Sequence, residues 1–183
     1  MITILLTLGA VALLAFALSR HAGFAAQRPS DYAGLEPRLD LRRHFDGPML
    51  CEGVIYGPFG RVSSRFVAEM HGRWEGDRGT MDESFRYASG DQQRRRWHLT
   101  LAEDGTIRAE AADLTRPGHG RQQGAAARLC YRIRLPERAG GWVLDVTDWL
   151  YLMENGTIIN RSQFRKYGVK VAELVATMRR VPG

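Results

Sequence analysis

Residues 141–152 read GWVLDVTDWLYL, a stretch dense in β-branched and aromatic side chains. It is too short and too charged to span a bilayer, so it predicts a β-strand. Alternate residues of a strand point to opposite faces, and one face here is apolar except for Asp148. If that face is buried, Asp148 is an acid that points inward and must find a partner or take up a proton.

The amino-acid composition limits the classes of protein to which this chain can belong. The 183 residues are 44% hydrophobic and 25% charged, with a formal net charge of +6, which suits one domain with a sizeable core. Acidic residues are interspersed among the arginines, and no basic stripe carries stacking aromatics, so we expect no nucleic-acid partner. Cys51 and Cys130 lack zinc-type spacing, which predicts no metal site and favours two unrelated thiols over a disulfide. The glycines at 118 and 120 match no nucleotide-binding pattern, so no cofactor is expected.

The N-terminus reads differently from the rest. Residues 2–18, ITILLTLGAVALLAFAL, contain no charge and reach about the minimum length of a membrane-spanning helix. We predict a membrane anchor at residues 1–18 and a linker at residues 19–36, where Pro29, Ser30 and Gly34 occur. Cleavage as a signal peptide within residues 22–26 is an alternative. Arg20 and Arg28 favour a cytoplasmic domain by the positive-inside tendency, so the membrane side stays open.

Residues 37–183 predict a single β domain. Short alternating segments are separated by turn signals such as Asp46-Gly47, Asp104-Gly105, Pro117-Gly118 and Asn155-Gly156. These turn signals, with little helical periodicity, predict about nine strands in an antiparallel sandwich or barrel.

Several predicted apolar faces carry one ionisable residue each. Glu83, Arg95, Asp113 and Asp148 are these exceptions. The pattern indicates an interior with a polar spot inside an apolar lining, as in a barrel that holds a ligand. The alternative is structural: an Arg–carboxylate pair that plugs the barrel, or residues near strand ends that reach solvent.

The pieces along the chain also resemble a known family, the bacterial envelope family catalogued as domain of unknown function 3833. The resemblance covers residues of about 35–180. Its pieces, in order, include FDG at 45–47, GRWEG at 72–76, DESFRY at 82–87, RRW at 95–97, DWLYL at 148–152 and KYGV at 166–169.

The resemblance implies an all-β, antiparallel, lipocalin-like barrel in the cell envelope, here preceded by one N-terminal hydrophobic helix. Members are often encoded near lipid-modifying enzymes, which favours a lipid ligand. Three departures stand out. No cysteine precedes Cys51, so the acylation site of a lipoprotein is missing, and Leu129 and Thr147 replace a Trp and an acid that relatives tend to carry.

Our first hypothesis is therefore a membrane-tethered binding module for a membrane lipid or another apolar small molecule. Arg95 is the expected partner of Asp148, with Arg161 and Lys166 as alternatives. The candidate ligand-binding residues are Glu83, Arg95, Trp97, Asp113, Tyr131, Asp148, Asn160, Arg161 and Lys166.

Two other hypotheses belong to different classes. One is an acid–base enzyme that modifies lipids or isoprenoids with Glu83, Asp113 and Asp148, although the sequence favours a protein without catalysis. The other is a scaffold beside lipid-modifying enzymes that binds no ligand. We expect the domain in the periplasm, tethered to the inner membrane. The oligomeric state stays open.

Overall fold

The computed structural model describes residues 2–181. Helix α1 spans Ile2–His21 and α2 spans Leu41–His44, with short 3-10 helices at Phe24–Ala26, Pro29–Tyr32 and Glu137–Ala139. The strands within these residues are β1 Gly47–Tyr56, β2 Val62–Glu75, β3 Arg78–Tyr87, β4 Gln92–Leu101, β5 Thr106–Ala111, β6 Leu114–Gln123, β7 Ala126–Arg134, β8 Val143–Leu152, β9 Ile158–Lys166 and β10 Val169–Arg180.

The strands form one closed antiparallel barrel in which each strand pairs with its neighbours in sequence and β1 pairs with β10. Closure leaves no sheet edge, because every strand has two partners. The predicted all-β barrel is confirmed. The hairpins β1–β2, β3–β4, β5–β6, β7–β8 and β9–β10 lie at one end, which we call the mouth. The remaining turns lie at the other end, which we call the base.

The structure has ten strands rather than about nine, because turns at residues 112–113, 124–125 and 167–168 separate further strands. Pro117-Gly118, in contrast, is not the turn that was predicted. It lies within β6, where the register with β7 shifts between Leu114 and Arg116 and again between Arg116 and His119. Proline has no N–H to give to a ladder and is tolerated at such irregularities. A Cβ on Gly118 would lie 2.9 Å from Cβ of Tyr131, so the glycine permits close approach of β7.

The base is closed by the chain that leads into β1. The side chains of Leu39, Leu41 and Phe45 are buried there. The Leu39 N–H donates to Gly124 O at 2.8 Å, and Arg42 Nη2 donates to Leu101 O at 2.7 Å. These contacts hold an apolar plug, residues 39–45, against the ends of strands β4 and β6.

The side chains of β8 alternate between the two faces as predicted, but one side chain on the outer face is buried too. Leu144, Val146 and Leu152 are buried on the inner face, yet Trp149 on the outer face is fully buried as well. The ring of Tyr32 covers it, with centroids 5.3 Å apart. Residues 24–33, which fall inside the predicted linker, thus pack on the outer wall of the barrel.

Two other predictions are resolved by the described residues. The spanning helix predicted at residues 1–18 is not found, since none of the helices in the described chain combines the length and apolarity that crossing a bilayer needs.

Cys51 and Cys130 are free thiols. Cys51 is buried on the inner face of β1, and Cys130 lies 3.8 Å from the Thr147 hydroxyl on the outer face.

Gly72 tests the plug, because a Cβ there would lie 1.6 Å from the carbonyl oxygen of Phe45. We expect Gly72→Ala to lower the free energy of unfolding by about 2–3 kcal/mol, since the plug must move away from β2. Gly34→Ala is the control: its Cβ would meet nothing within 4 Å, so the change should stay within about 0.5 kcal/mol. Urea unfolding measures both, and equal effects would contradict the role of the plug.

Candidate ligand cavity

A cavity of about 770 Å³ occupies the barrel between the plug and the mouth. Its walls are mostly apolar, with aromatic side chains from β2, β3, β4, β7 and β9. Phe66 and Phe85 pack edge to face at 5.4 Å, and Phe85 stacks with Tyr87 at 6.1 Å. The lining reaches Asp113, Thr115 and residues 134–137, which all lie at the mouth. This volume suits a small apolar molecule.

Arg95 on β4 is a buried cation in this lining, which also includes Arg134 at the mouth. Its Nε donates to Asp113 in the β5–β6 turn at 3.1 Å. Its guanidinium carbon lies 3.8 Å from the centroid of the Trp97 ring and 5.5 Å from that of Tyr131. A planar guanidinium stacks well on an aromatic face while its edge forms hydrogen bonds. Arg95 is thus fixed by one ion pair and one stacked ring, while its Nη2 is buried without a partner.

Glu83 on β3 is the cross-strand neighbour of Arg95. Burial raises the pKa of its carboxyl to about 7, although Arg95 and hydrogen bonding from the Trp97 side chain act in the opposite direction. The charges of Asp148 and Asp113 raise this pKa further. Oxygen Oε2 of Glu83 is buried and has no hydrogen-bond partner. Glu83 is therefore an acid that exchanges its proton near neutral pH.

Asp148 on β8 does face inward, as its alternation predicts, and lines the cavity. Burial raises the pKa of its carboxyl, and the hydroxyls of Ser162 and Tyr131, with the charge of Arg95, oppose that rise. Ser162 is its cross-strand neighbour on β9. Burial, followed by the charge of Asp148, also raises the pKa of the Tyr131 phenol well above its usual value. Oxygen Oδ1 of Asp148 has no partner.

Three buried polar atoms of residues that line the cavity have no hydrogen-bond partner. In the described chain, six buried side-chain polar atoms lack a partner, and Glu83 Oε2, Arg95 Nη2 and Asp148 Oδ1 are half of them. Each such atom costs about 1–3 kcal/mol unless something satisfies it. A polar group of a bound molecule, or ordered water, can satisfy such atoms.

The nine candidate residues fall into three groups. Seven line the cavity: Glu83, Arg95, Trp97, Asp113, Tyr131, Asp148 and Asn160. Lys166 lies at the mouth, with Nζ 3.2 Å from the centroid of the Trp142 ring. Arg161 points away from the cavity, because it alternates with Asn160 and Ser162. Its Nε pairs with Glu173 at 2.6 Å on the outer wall.

Two details of the polar cluster differ from expectation. The predicted partner of Asp148 was Arg95, whereas Arg95 is bonded to Asp113 and reaches Asp148 only through its charge. Ser162, which lowers the pKa of Asp148, was missed. It follows Asn160 by two residues and so shares its face, but only the β8–β9 register places it opposite Asp148.

Comparison with known proteins gives a family and a fold. The family described as "Protein of unknown function (DUF3833)" matches residues 18–180. The structure is similar to the S-type phycobiliprotein lyase CPES from Guillardia theta, with a TM-score of 0.57 at 6% identity, covering 78% of this chain and 92% of that one. It is also similar to Rv2717c from M. tuberculosis, with a TM-score of 0.52 at 18% identity, covering 81% and 99%. These two likenesses establish a shared fold. No curated protein matches the sequence.

The raised pKa of Glu83 makes stability depend on pH. The folded chain holds this proton up to about pH 7, against the usual carboxyl value of 4.5. The contribution of Glu83 to the free energy of unfolding should therefore be highest below that usual value and fall as pH rises to 7, by roughly 3 kcal/mol.

Glu83→Gln cannot ionise, so we expect it to flatten this slope and to be more stable than the parent above pH 7. Denaturant unfolding across this pH range measures the effect. Glu69→Gln is the matched control, because Glu69 is exposed on the outer wall of β2. Parallel curves for the parent and Glu83→Gln would contradict the assignment of the buried acid.

Proposed function

We propose that this chain, which belongs to the DUF3833 family, is a binding module whose barrel holds an apolar small molecule with a polar head. One observation carries the proposal. A mostly apolar cavity of about 770 Å³ is lined in part by residues whose polar atoms lack partners within the protein. A molecule with an apolar body and one hydrogen-bonding head complements both parts of this interior.

The charges of the cluster indicate the kind of head group. The carboxyl groups of Glu83, Asp113 and Asp148 share the interior with the guanidinium of Arg95, which is already paired with Asp113. Arg134 and Glu137 line the cavity only at the mouth, as one further cation and one further acid. A carboxylate head would add another negative charge beside two acids in an environment of low dielectric. An uncharged head, such as an alcohol, can donate and accept hydrogen bonds without that cost.

We further propose that the ligand is a lipid and that the protein is tethered to the inner membrane with the barrel in the periplasm. The uncharged sequence of residues 2–18 and the family resemblance support this proposal. Fractionation of cells, with protease applied to intact spheroplasts, tests it. Cleavage of the barrel there supports the periplasmic side, whereas protection, or release of a shortened chain into the soluble fraction, counts against it.

A second candidate function is acid–base catalysis on a lipid or isoprenoid. It is favoured by one observation: burial brings the pKa of Glu83 to about 7 and also raises that of Asp148 within the same cavity. Acids tuned near the working pH serve as general acids and bases. Loss of a lipid product in cells with a folded Asp148→Asn variant would support catalysis, whereas an unchanged lipid extract would favour binding alone.

A cavity-filling substitution tests the binding module directly. Leu174 lines the cavity, so the indole of Leu174→Trp would occupy space that the ligand needs. We expect the affinity for the uncharged fluorophore N-phenyl-1-naphthylamine to fall at least about tenfold, which corresponds to 1.4 kcal/mol. Fluorescence titration of delipidated protein measures this.

Val67→Trp is the control, because Val67 is 43% exposed on the outer wall. It adds the same indole without filling the barrel and should bind like the parent. Mass spectrometry of the purified parent should also show an apolar molecule that Leu174→Trp lacks. No probe binding by the parent, or equal binding by all three proteins, would overturn the proposed function.

Matched amphiphiles test the head group. We expect 1-decanol to displace the fluorophore with an affinity that changes little with pH. Decanoate should bind more weakly, and its affinity should fall further as Glu83 loses its proton through about pH 7. Competition titrations below the micellar concentration provide the measurement. Stronger binding of decanoate above pH 7 would contradict the argument from charge while leaving the binding module in place.

A further inference from the structure

We propose that the mouth of the barrel docks on an anionic lipid surface through aromatic side chains carried by three of its connections. Phe59 lies in the β1–β2 hairpin, Trp142 lies immediately before β8, and Tyr167 lies in the β9–β10 turn. All three connections are at the mouth, because alternate hairpins of an up-and-down barrel share an end. This docking surface is distinct from the cavity and consists of residues that the proposed binding module does not use.

The exposure of these side chains is the first observation. Phe59 is 95% exposed and Tyr167 is 92% exposed, the two highest values among the large hydrophobic side chains of the described chain. Trp142 is 55% exposed. By alternation Trp142 falls on the same predicted inward face as Asp148, but in the structure it precedes β8 and lies at the mouth, which corrects that prediction. Neighbouring Val62 and Val169 are also exposed. Exposed apolar groups concentrated in this way mark a surface that another phase or molecule covers.

The backbone of Tyr167 is the second observation. It has φ of +51° and is the sole non-glycine residue with positive φ in the described chain. This conformation is unfavourable for a bulky side chain and suits glycine or asparagine. The ring is almost fully exposed, so packing within the barrel does not compensate. A strained position that presents an aromatic ring to the outside indicates a role outside the fold.

Positive charge accompanies the aromatic rings. Lys166 Nζ lies 3.2 Å from the centroid of the Trp142 ring and 5.5 Å from that of Tyr167, so one cation joins two of the connections. Arg61 follows Phe59 in the first hairpin and is exposed. Lysine and arginine next to tryptophan and tyrosine are typical of the interface between lipid head groups and hydrocarbon. The β3–β4 turn, residues 88–91, instead reads ASGD, so the apolar character is confined to one side of the mouth.

The shape of this end favours lipid over a protein partner. The three rings stand on separate connections along one side of the mouth, whereas a stable protein interface needs a packed apolar centre of its own. Lipid head groups and chains are mobile and can surround separate protruding rings. Docking in this orientation would place the cavity entrance against the membrane.

The experiment uses the full chain and vesicles of brominated phosphatidylglycerol, in which bromine quenches nearby tryptophan. The signal of Trp142 is obtained as the difference between the parent and Trp142→Phe. We expect the Trp142 signal to be quenched at least twofold. We expect this quenching to weaken in brominated phosphatidylcholine and in high salt. Any attachment through α1 is common to all variants, so the local signal reports on the mouth.

The test variant is Phe59→Ser combined with Tyr167→Asn, and the control is Leu50→Ser, whose side chain is 50% exposed on the outer wall of β1. The double variant should lose most of the quenching of Trp142, whereas the control should keep it. An unquenched Trp142 in the parent, or equal quenching in both variants, would overturn the docking surface. Both variants should bind N-phenyl-1-naphthylamine like the parent, which shows that they are folded and separates this inference from the proposed function.

Discussion

The stack of Arg95 on Trp97, closed by the ion pair with Asp113, is the interaction on which the interior depends. A guanidinium inside a closed β-barrel is stable only if its charge is balanced and its plane is covered. Asp113 balances the charge at 3.1 Å, and the Trp97 ring covers one face at 3.8 Å. Because Arg95 is held in this way, a second acid, Glu83, can lie beside it with a pKa of about 7.

The polar interior contains atoms that the surrounding side chains do not satisfy. If the cluster only closed the barrel, its members would satisfy one another, as buried polar groups normally do. Instead, Glu83, Arg95 and Asp148 each have an atom without a partner, and the space beside them is open. The actual plug is apolar and lies elsewhere, at Leu39, Leu41 and Phe45. The two ends of the barrel therefore differ: the base is closed by the plug, and the mouth carries the exposed rings of Phe59, Trp142 and Tyr167.

On the outer wall of the barrel, the direction of a side chain does not tell whether that side chain is buried. Trp149 belongs to the outer face of β8 and yet is fully buried, because the segment around Tyr32 covers it. The same segment brings Gln27 to the hydroxyl of Tyr151 at 2.7 Å. Alternation gives the direction of a side chain, whereas burial depends on what other parts of the chain cover that side.

The sequence by itself determined the all-β class, most of the strands and the inward direction of Glu83, Arg95 and Asp148, because a strand alternates with a period of two residues whatever its neighbours are. Six of the nine candidate residues line the cavity for that reason, whereas Asp113 lines it from the β5–β6 turn and not from a strand. The tertiary structure decided the rest: that Arg95 pairs with Asp113, that Ser162 lies opposite Asp148, that Arg161 faces outward and that Pro117 is inside β6. Pairing, register and closure join residues far apart in sequence, and their free energies are sums over the whole barrel that no single stretch of residues encodes.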